Sequence, residues 1–84
     1  MSVLLKLEMP EGALSALRLD PEGLARELRL TAAAKWYEMG IISQEKAAEI
    51  AGLSRAEFIF SLSRFGVSPV QYTVDELSEE LKRG

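Results

Sequence analysis

Cysteine and histidine are both absent from this 84-residue chain. Without cysteine, no disulfide can reinforce the modest core that so short a chain can build. Association with a second copy is a common remedy, so a homodimer is expected. Without cysteine or histidine, the usual zinc and copper ligand sets cannot be assembled, and a Ser-His or Cys-His nucleophile pair is excluded. Acid–base chemistry would fall to carboxylates, lysine or tyrosine. The carboxylates are spread along helical stretches with Lys and Arg between them, the pattern of solvated helix faces. The chain therefore reads as a binding protein rather than an enzyme, with no catalytic residue, no metal site and no cofactor.

Two further features are missing. No run of about 18 apolar residues occurs, so no membrane span is expected. The opening Met1-Ser2-Val3-Leu4-Leu5 lacks the basic start and long apolar stretch of a secretion signal, which makes the cytoplasm the expected location. Nor is there an excess of basic residues. The net charge is −3, against a general nucleic-acid coat. It is unevenly spread: residues 1–40 carry five bases and six acids, residues 41–70 three of each, and residues 71–84 two bases and four acids.

What is present is strong local patterning. Val3, Leu5, Leu7 and Met9 alternate with Lys6 and Glu8, a period of two that predicts a short strand over residues 3–9 with one buried face. Its mate would be a later strand of this chain or the same strand of a second copy. Pro10-Glu11-Gly12 ends it, and residues 13–19 suit a helical turn or two. Asp20-Pro21-Glu22 is a helix start: a capping carboxylate, a proline at the first helical position and an acid for the positive end of the dipole. Leu24, Leu28, Thr31/Ala32, Lys35/Trp36 and Met39 then follow helical spacing, with Gly40 as the stop. Trp36 and Tyr37, in the last turn, are expected in core or dimer packing.

Residues 43–66 have the spacing of a helix-turn-helix. Ser43 caps a helix to about Ala51, Gly52-Leu53 turns, and Ser54 with Glu57 forms a capping box for a second helix that ends at Gly66. Ala47, Ala48 and Ala51 allow close approach, Gly52 takes the left-handed turn, and Leu53 and Phe58 fill the angle. Phe58, Ile59, Leu62 and Phe65 are expected inward. In a unit that reads DNA, the early outward positions of the second helix enter the major groove. Here those are Ser54, Arg55 and Ala56, with Ile59 or Phe60 and Ser63 following and Arg64 adding a phosphate contact. The alternative is that this helix packs onto another protein, because Ile59 and Phe60 cannot both be buried by one thin face.

Past Gly66, Pro69 and β-branched neighbours predict an extended stretch, with a possible second strand near residues 69–73. Thr73-Val74-Asp75-Glu76 is another capping box. It opens a C-terminal helix bearing Leu77 and Leu81 on one face and Lys82 and Arg83 at its end. That thin leucine stripe suits a tail ordered by a partner. The expected fold is thus mainly α: a helix-turn-helix core with a short N-terminal strand over residues 1–66, then a partner-binding tail over residues 67–84.

The run Ile42-Ser43-x-x-Lys46-Ala47-Ala48-Glu49-Ile50-Ala51-Gly52-Leu53-Ser54-Arg55-x-Glu57-Phe58, with Gly66-Val67, Tyr72 and the acidic last helix, resembles a family of small prokaryotic proteins regarded as VapB-like antitoxins of PIN-domain ribonucleases. The resemblance implies a dimer whose helix-turn-helix binds operator DNA at Ser54, Arg55, Ala56, Ser63 and Arg64. It implies a tail that docks on the ribonuclease toxin through Tyr72, Leu77, Leu81, Lys82 and Arg83. A basic side chain, Arg64, Lys82 or Arg83, would approach the toxin's acidic metal site. The alternative is a protein–protein adaptor that binds no DNA and uses the helix-turn-helix as a packing unit.

Overall fold

The computed structural model describes residues 2–69, and among these all regular structure is helical. Helix α1 spans Glu11–Leu17, α2 Pro21–Glu38, α3 Gln44–Ala51 and α4 Arg55–Ser61, followed by a 3₁₀ turn over Leu62–Phe65.

Each boundary has a local cause. The Asp20 carboxylate accepts the Gly23 amide at 2.7 Å, and Pro21 occupies the first helical position of α2. Ser43 caps α3 by accepting the Lys46 amide at 3.1 Å. Gly52, at φ +73°, closes α3, and the Leu53 amide returns to the Ala48 carbonyl at 3.0 Å. Ser54 and Glu57 form the reciprocal capping box: the Glu57 amide donates to Ser54 Oγ at 3.1 Å, and the Ser54 amide to Glu57 Oε1 at 2.9 Å. Gly66, at φ +65°, ends the 3₁₀ turn.

The core is small and rich in alanine. Leu30, Ala33, Ala34 and Tyr37 of α2 meet Ala47, Ala48 and Ala51 of α3, with Phe58, Leu62 and Val67 closing the other side. Methyl-sized side chains on both helices let the two backbones approach, so α2 and α3 make the main helix pair of the body. Phe58 is fully buried and meets the Tyr37 ring edge-to-face, centroids 6.0 Å apart at 80°. Leu53 and Phe65 pack partly buried against this cluster, as expected, and Ile59 is half-buried.

Three expectations change. First, the strand over residues 3–9 is not formed. Residues 2–10 are exposed, and among the described residues no second strand offers a ladder for their backbone groups. An alternating pattern specifies a face, but a strand exists only when its amides and carbonyls are paired. Second, Pro10 and Glu11 do not end a strand but open α1: Pro10, extended at φ −65°, sits at its N-cap. Third, the expected buried stripe of α2 holds at Leu24, which is buried, but beyond it the inward face is rotated from the one expected. Thr31, Trp36 and Met39 are exposed, and Leu30, Ala33, Ala34 and Tyr37 face inward instead. Both stripes have helical spacing. The inward one is chosen because its alanines match those of α3. The expected C-terminal helix, and all but Pro69 of the possible strand over residues 69–73, lie outside the described residues.

Candidate nucleic-acid or protein interface

The helix-turn-helix places Ser54, Arg55 and Ala56 together, exposed, at the start of α4. Each of the two polar residues already has a local partner. The Ser54 hydroxyl is the cap of its own helix. Arg55 Nε donates to Gln44 Oε1 at 2.8 Å. Gln44 is itself tied inward, with its Nε2 donating to Tyr37 Oη at 3.2 Å and to the Pro69 carbonyl at 2.8 Å. The Tyr37 hydroxyl donates to that same carbonyl at 2.6 Å. Arg55 is therefore held in place by a chain of hydrogen bonds leading to a buried tyrosine, so its guanidinium is pre-ordered at the surface.

Ser63 and Arg64 lie elsewhere, on the 3₁₀ turn. Ser63 Oγ bonds back to the Phe60 carbonyl at 3.2 Å. Arg64 pairs with Glu27 of α2 at 2.7 Å and stacks over Phe65, its guanidinium carbon 5.4 Å from the ring centre. Glu27 and Tyr37, the α2 residues to which the Arg64 and Arg55 networks lead, are ten positions apart, about 15 Å along a helix. The five positions expected to meet DNA therefore form two groups, one at the start of α4 and one on the 3₁₀ turn, with Arg55 leading to the last turn of α2 and Arg64 to its middle.

The field around the start of α4 is mixed. Arg55 lines a shallow open depression with Glu45, Ala48, Glu49 and Leu53. Glu57 is held below the ordinary carboxylate range, chiefly by the Ser54 amide and then by the Ser54 hydroxyl. Lys46 is raised by its hydrogen bond to Glu49, 2.9 Å away, and by that carboxylate's charge. Removing the two bases and four acids of residues 71–84 from the chain's ten and thirteen leaves eight bases and nine acids on the rest. A duplex held here would rest on a few placed contacts, not on a basic surface.

Two features escaped the sequence reading. Arg29 of α2 donates from Nε to the Ile50 carbonyl at 2.8 Å, satisfying the last turn of α3, and its guanidinium lies where a side chain at Gly52 would go. The other is the Tyr37–Gln44–Pro69 cluster. Neither has a local signal, since each joins residues more than twenty positions apart. An apolar feature is equally plain: Phe60, on α4, is 85% exposed. Tyr72, Leu77, Leu81, Lys82 and Arg83 lie outside the described residues. Among the described residues no cluster of three or more acids could hold a metal ion, and no helix is long and apolar enough to cross a membrane.

Proteins of similar sequence occur in Aeropyrum pernix and Archaeoglobus fulgidus. The chain is 42% identical over 76 residues to a UPF0175 protein of Aeropyrum pernix, covering 90% of this chain and 80% of the relative. It is 41% identical over 63 residues to one of Archaeoglobus fulgidus, covering 75% and 71%. A second Aeropyrum pernix UPF0175 protein is 40% identical over 58 residues, covering 69% and 73%. No solved structure matches. The profile of the uncharacterised protein family UPF0175 matches residues 2–83, and the chain belongs to that family.

Proposed function

We propose that this protein is the antitoxin of a type II toxin–antitoxin pair, a non-enzymatic dimer that binds its own operator DNA and neutralises a PIN-domain ribonuclease. The observation that supports it most is the α3–Gly52–α4 unit, with Ser54, Arg55 and Ala56 exposed at the start of its second helix. The resemblance of residues 42–58 to VapB-like antitoxins supplies the rest. In this reading Arg55 is the leading DNA contact, because a guanidinium already ordered by Gln44 loses less freedom on binding. Ser63 adds a phosphate contact, and Arg64 a second one if it turns from Glu27. The ribonuclease is held by the tail over residues 67–84, through Tyr72, Leu77, Leu81, Lys82 and Arg83.

The test is fluorescence anisotropy with DNA from immediately upstream of the reading frame. The wild type should bind with steep salt dependence, and Arg55→Ala should weaken binding about tenfold or more, as one lost base or phosphate contact does. Equal affinity in the variant would remove Arg55 from the interface. Co-purification with the neighbouring gene product tests the other half. A chain ending at Pro69 should lose the ribonuclease and keep its fold, because Val67 is buried and the Pro69 carbonyl accepts two hydrogen bonds.

One observation favours the adaptor reading instead. Phe60 is 85% exposed on the helix that would enter a phosphate-lined groove, and large exposed apolar side chains mark protein contacts. On that reading, Phe60→Ala abolishes assembly with the partner while DNA binding is absent even at low salt.

A further inference from the structure

Residues 3–9 hold the longest run of exposed large apolar side chains among the described residues: Val3, Leu4, Leu5, Leu7 and Met9. Val3 is 84% and Leu5 76% exposed. Among the described residues no backbone hydrogen bond pairs this segment. It has the side-chain order of a strand, the extended backbone of Pro10 at its end and nothing within the helical body to pair with.

We propose that residues 4–10 pair with the same segment of a second copy, as an antiparallel two-stranded ribbon whose two-fold axis passes through Leu7. The inference rests on the dimer in the function proposed above and specifies how it forms.

The register follows from charge and from proline. Residues directly opposite in an antiparallel ladder point to the same face, so only registers that match odd with odd keep Leu5, Leu7 and Met9 on one apolar side. With the axis through Leu7, Leu5 lies opposite Met9 of the second copy. Lys6 lies opposite its Glu8, and Glu8 opposite its Lys6, giving two complementary charge pairs on the polar face. An axis through Lys6 sets lysine against lysine. An axis through Leu5 sets Lys6 against Leu4 and leaves Glu8 opposite Ser2. Proline is accommodated in the same register. If Leu7 faces its copy as a hydrogen-bonded pair, then Lys6–Glu8 and Leu4–Pro10 are the non-bonded pairs. Pro10, which has no N–H, then removes no ladder bond, and the charge pairs fall where opposite side chains are closest. A bare two-stranded ribbon is marginal in water, so its apolar side has to rest on the helical bodies it joins.

The chain's lack of cysteine makes the test direct, because any disulfide formed by an introduced cysteine is unambiguous. Sedimentation equilibrium of the full chain should show a dimer in the micromolar range. Under mild oxidation, Leu7→Cys should form a disulfide dimer and Lys6→Cys alone should not. A mixture of Lys6→Cys with Glu8→Cys should cross-link between the two. Lys6→Glu and Glu8→Lys should each weaken the dimer about tenfold, and the double exchange should restore it. The segment lies outside the core, so the circular dichroism of each variant should stay helical. A chain that stays monomeric overturns the proposal, as does a dimer in which Lys6→Cys links to itself or the double exchange fails to restore affinity. Operator or ribonuclease binding by such a chain would leave the function above standing without the ribbon. A cross-linked ribbon with neither activity would do the reverse.

Discussion

The helical body and the N-terminal segment handle apolar residues in opposite ways. In the body, α2 and α3 bury alanines along much of their contact, and the Phe58 ring, edge-to-face with Tyr37, closes one side of the cluster. In the segment over residues 3–9, four leucine- or valine-sized side chains are exposed. Size therefore does not decide which residues are inside. Backbone satisfaction does. A helix pairs its own amides and carbonyls, so it can bury any stripe that fits a neighbour. An extended segment cannot bury its side chains until another strand takes up its backbone groups. The buried helical body therefore carries the fold's stability, while the large side chains of residues 3–9 are left uncovered among the described residues.

The most severe way to test that contrast is to remove the ring. Phe58→Ala removes a fully buried ring of the core cluster that meets Tyr37 of α2, and should cost about 3–5 kcal/mol. In a body this small that is most of the folding free energy, so thermal melts followed by circular dichroism should lose cooperativity. The matched change in the segment, Leu5→Ser, should shift the melting of a dilute sample by no more than about 0.5 kcal/mol. Comparable losses from the two substitutions would end the comparison.

A smaller effect is expected at the turn. Gly52 adopts φ +73°, and a Cβ there would lie 3.1 Å from the Arg29 guanidinium. Gly52→Ala should cost about 1–2 kcal/mol, partly as backbone strain and partly because the Arg29 guanidinium that bonds the Ile50 carbonyl must shift to make room. Arg29→Ala separates the two. In that background the steric share disappears, so a Gly52→Ala penalty that is unchanged would show the strain to be purely of the backbone.

What could be read from the sequence follows the same division. The caps at Asp20, Ser43 and Ser54 and the stops at Gly52 and Gly66 were legible because each acts within about four residues of itself. The inward stripe of α2 was not. Past the buried Leu24, Leu28-Ala32-Trp36 and Leu30-Ala33-Ala34-Tyr37 both satisfy the helical period, and only packing against the alanines of α3 chooses between them. For residues 3–9 the matching reason holds: alternation is local, pairing is not, and the described residues supply no mate. In the candidate interface, the exposure of Ser54, Arg55 and Ala56 was legible from helix phase. The separation of Arg55 from Arg64 was not, since it depends on Gln44 and Glu27, eleven and thirty-seven residues distant from their partners.

The smallest effect concerns the capping box, where a local device of the body can be titrated. Ser54→Ala removes the hydroxyl that accepts the Glu57 amide and should cost about 1 kcal/mol. The Glu57 carboxylate is held below its unfolded range by the hydrogen bonds it accepts at Ser54. A depressed folded value means that the deprotonated form is the one the fold favours, so this contribution is present above the unfolded carboxylate pKa and is lost as pH falls through the folded value. Lys46 runs the other way. Its folded value is raised by Glu49, so its contribution is present below the unfolded lysine pKa and is lost as pH rises through the folded one. Denaturant midpoints should therefore fall at both extremes and stay flat between them. Glu57→Gln should flatten the acid limb and Lys46→Met the alkaline limb. Both groups are exposed, so each limb should be shallow and should fade with added salt. A steep acid limb that persists in Glu57→Gln would place the decisive carboxylate elsewhere than Glu57, and the box would then be a cap without an electrostatic role.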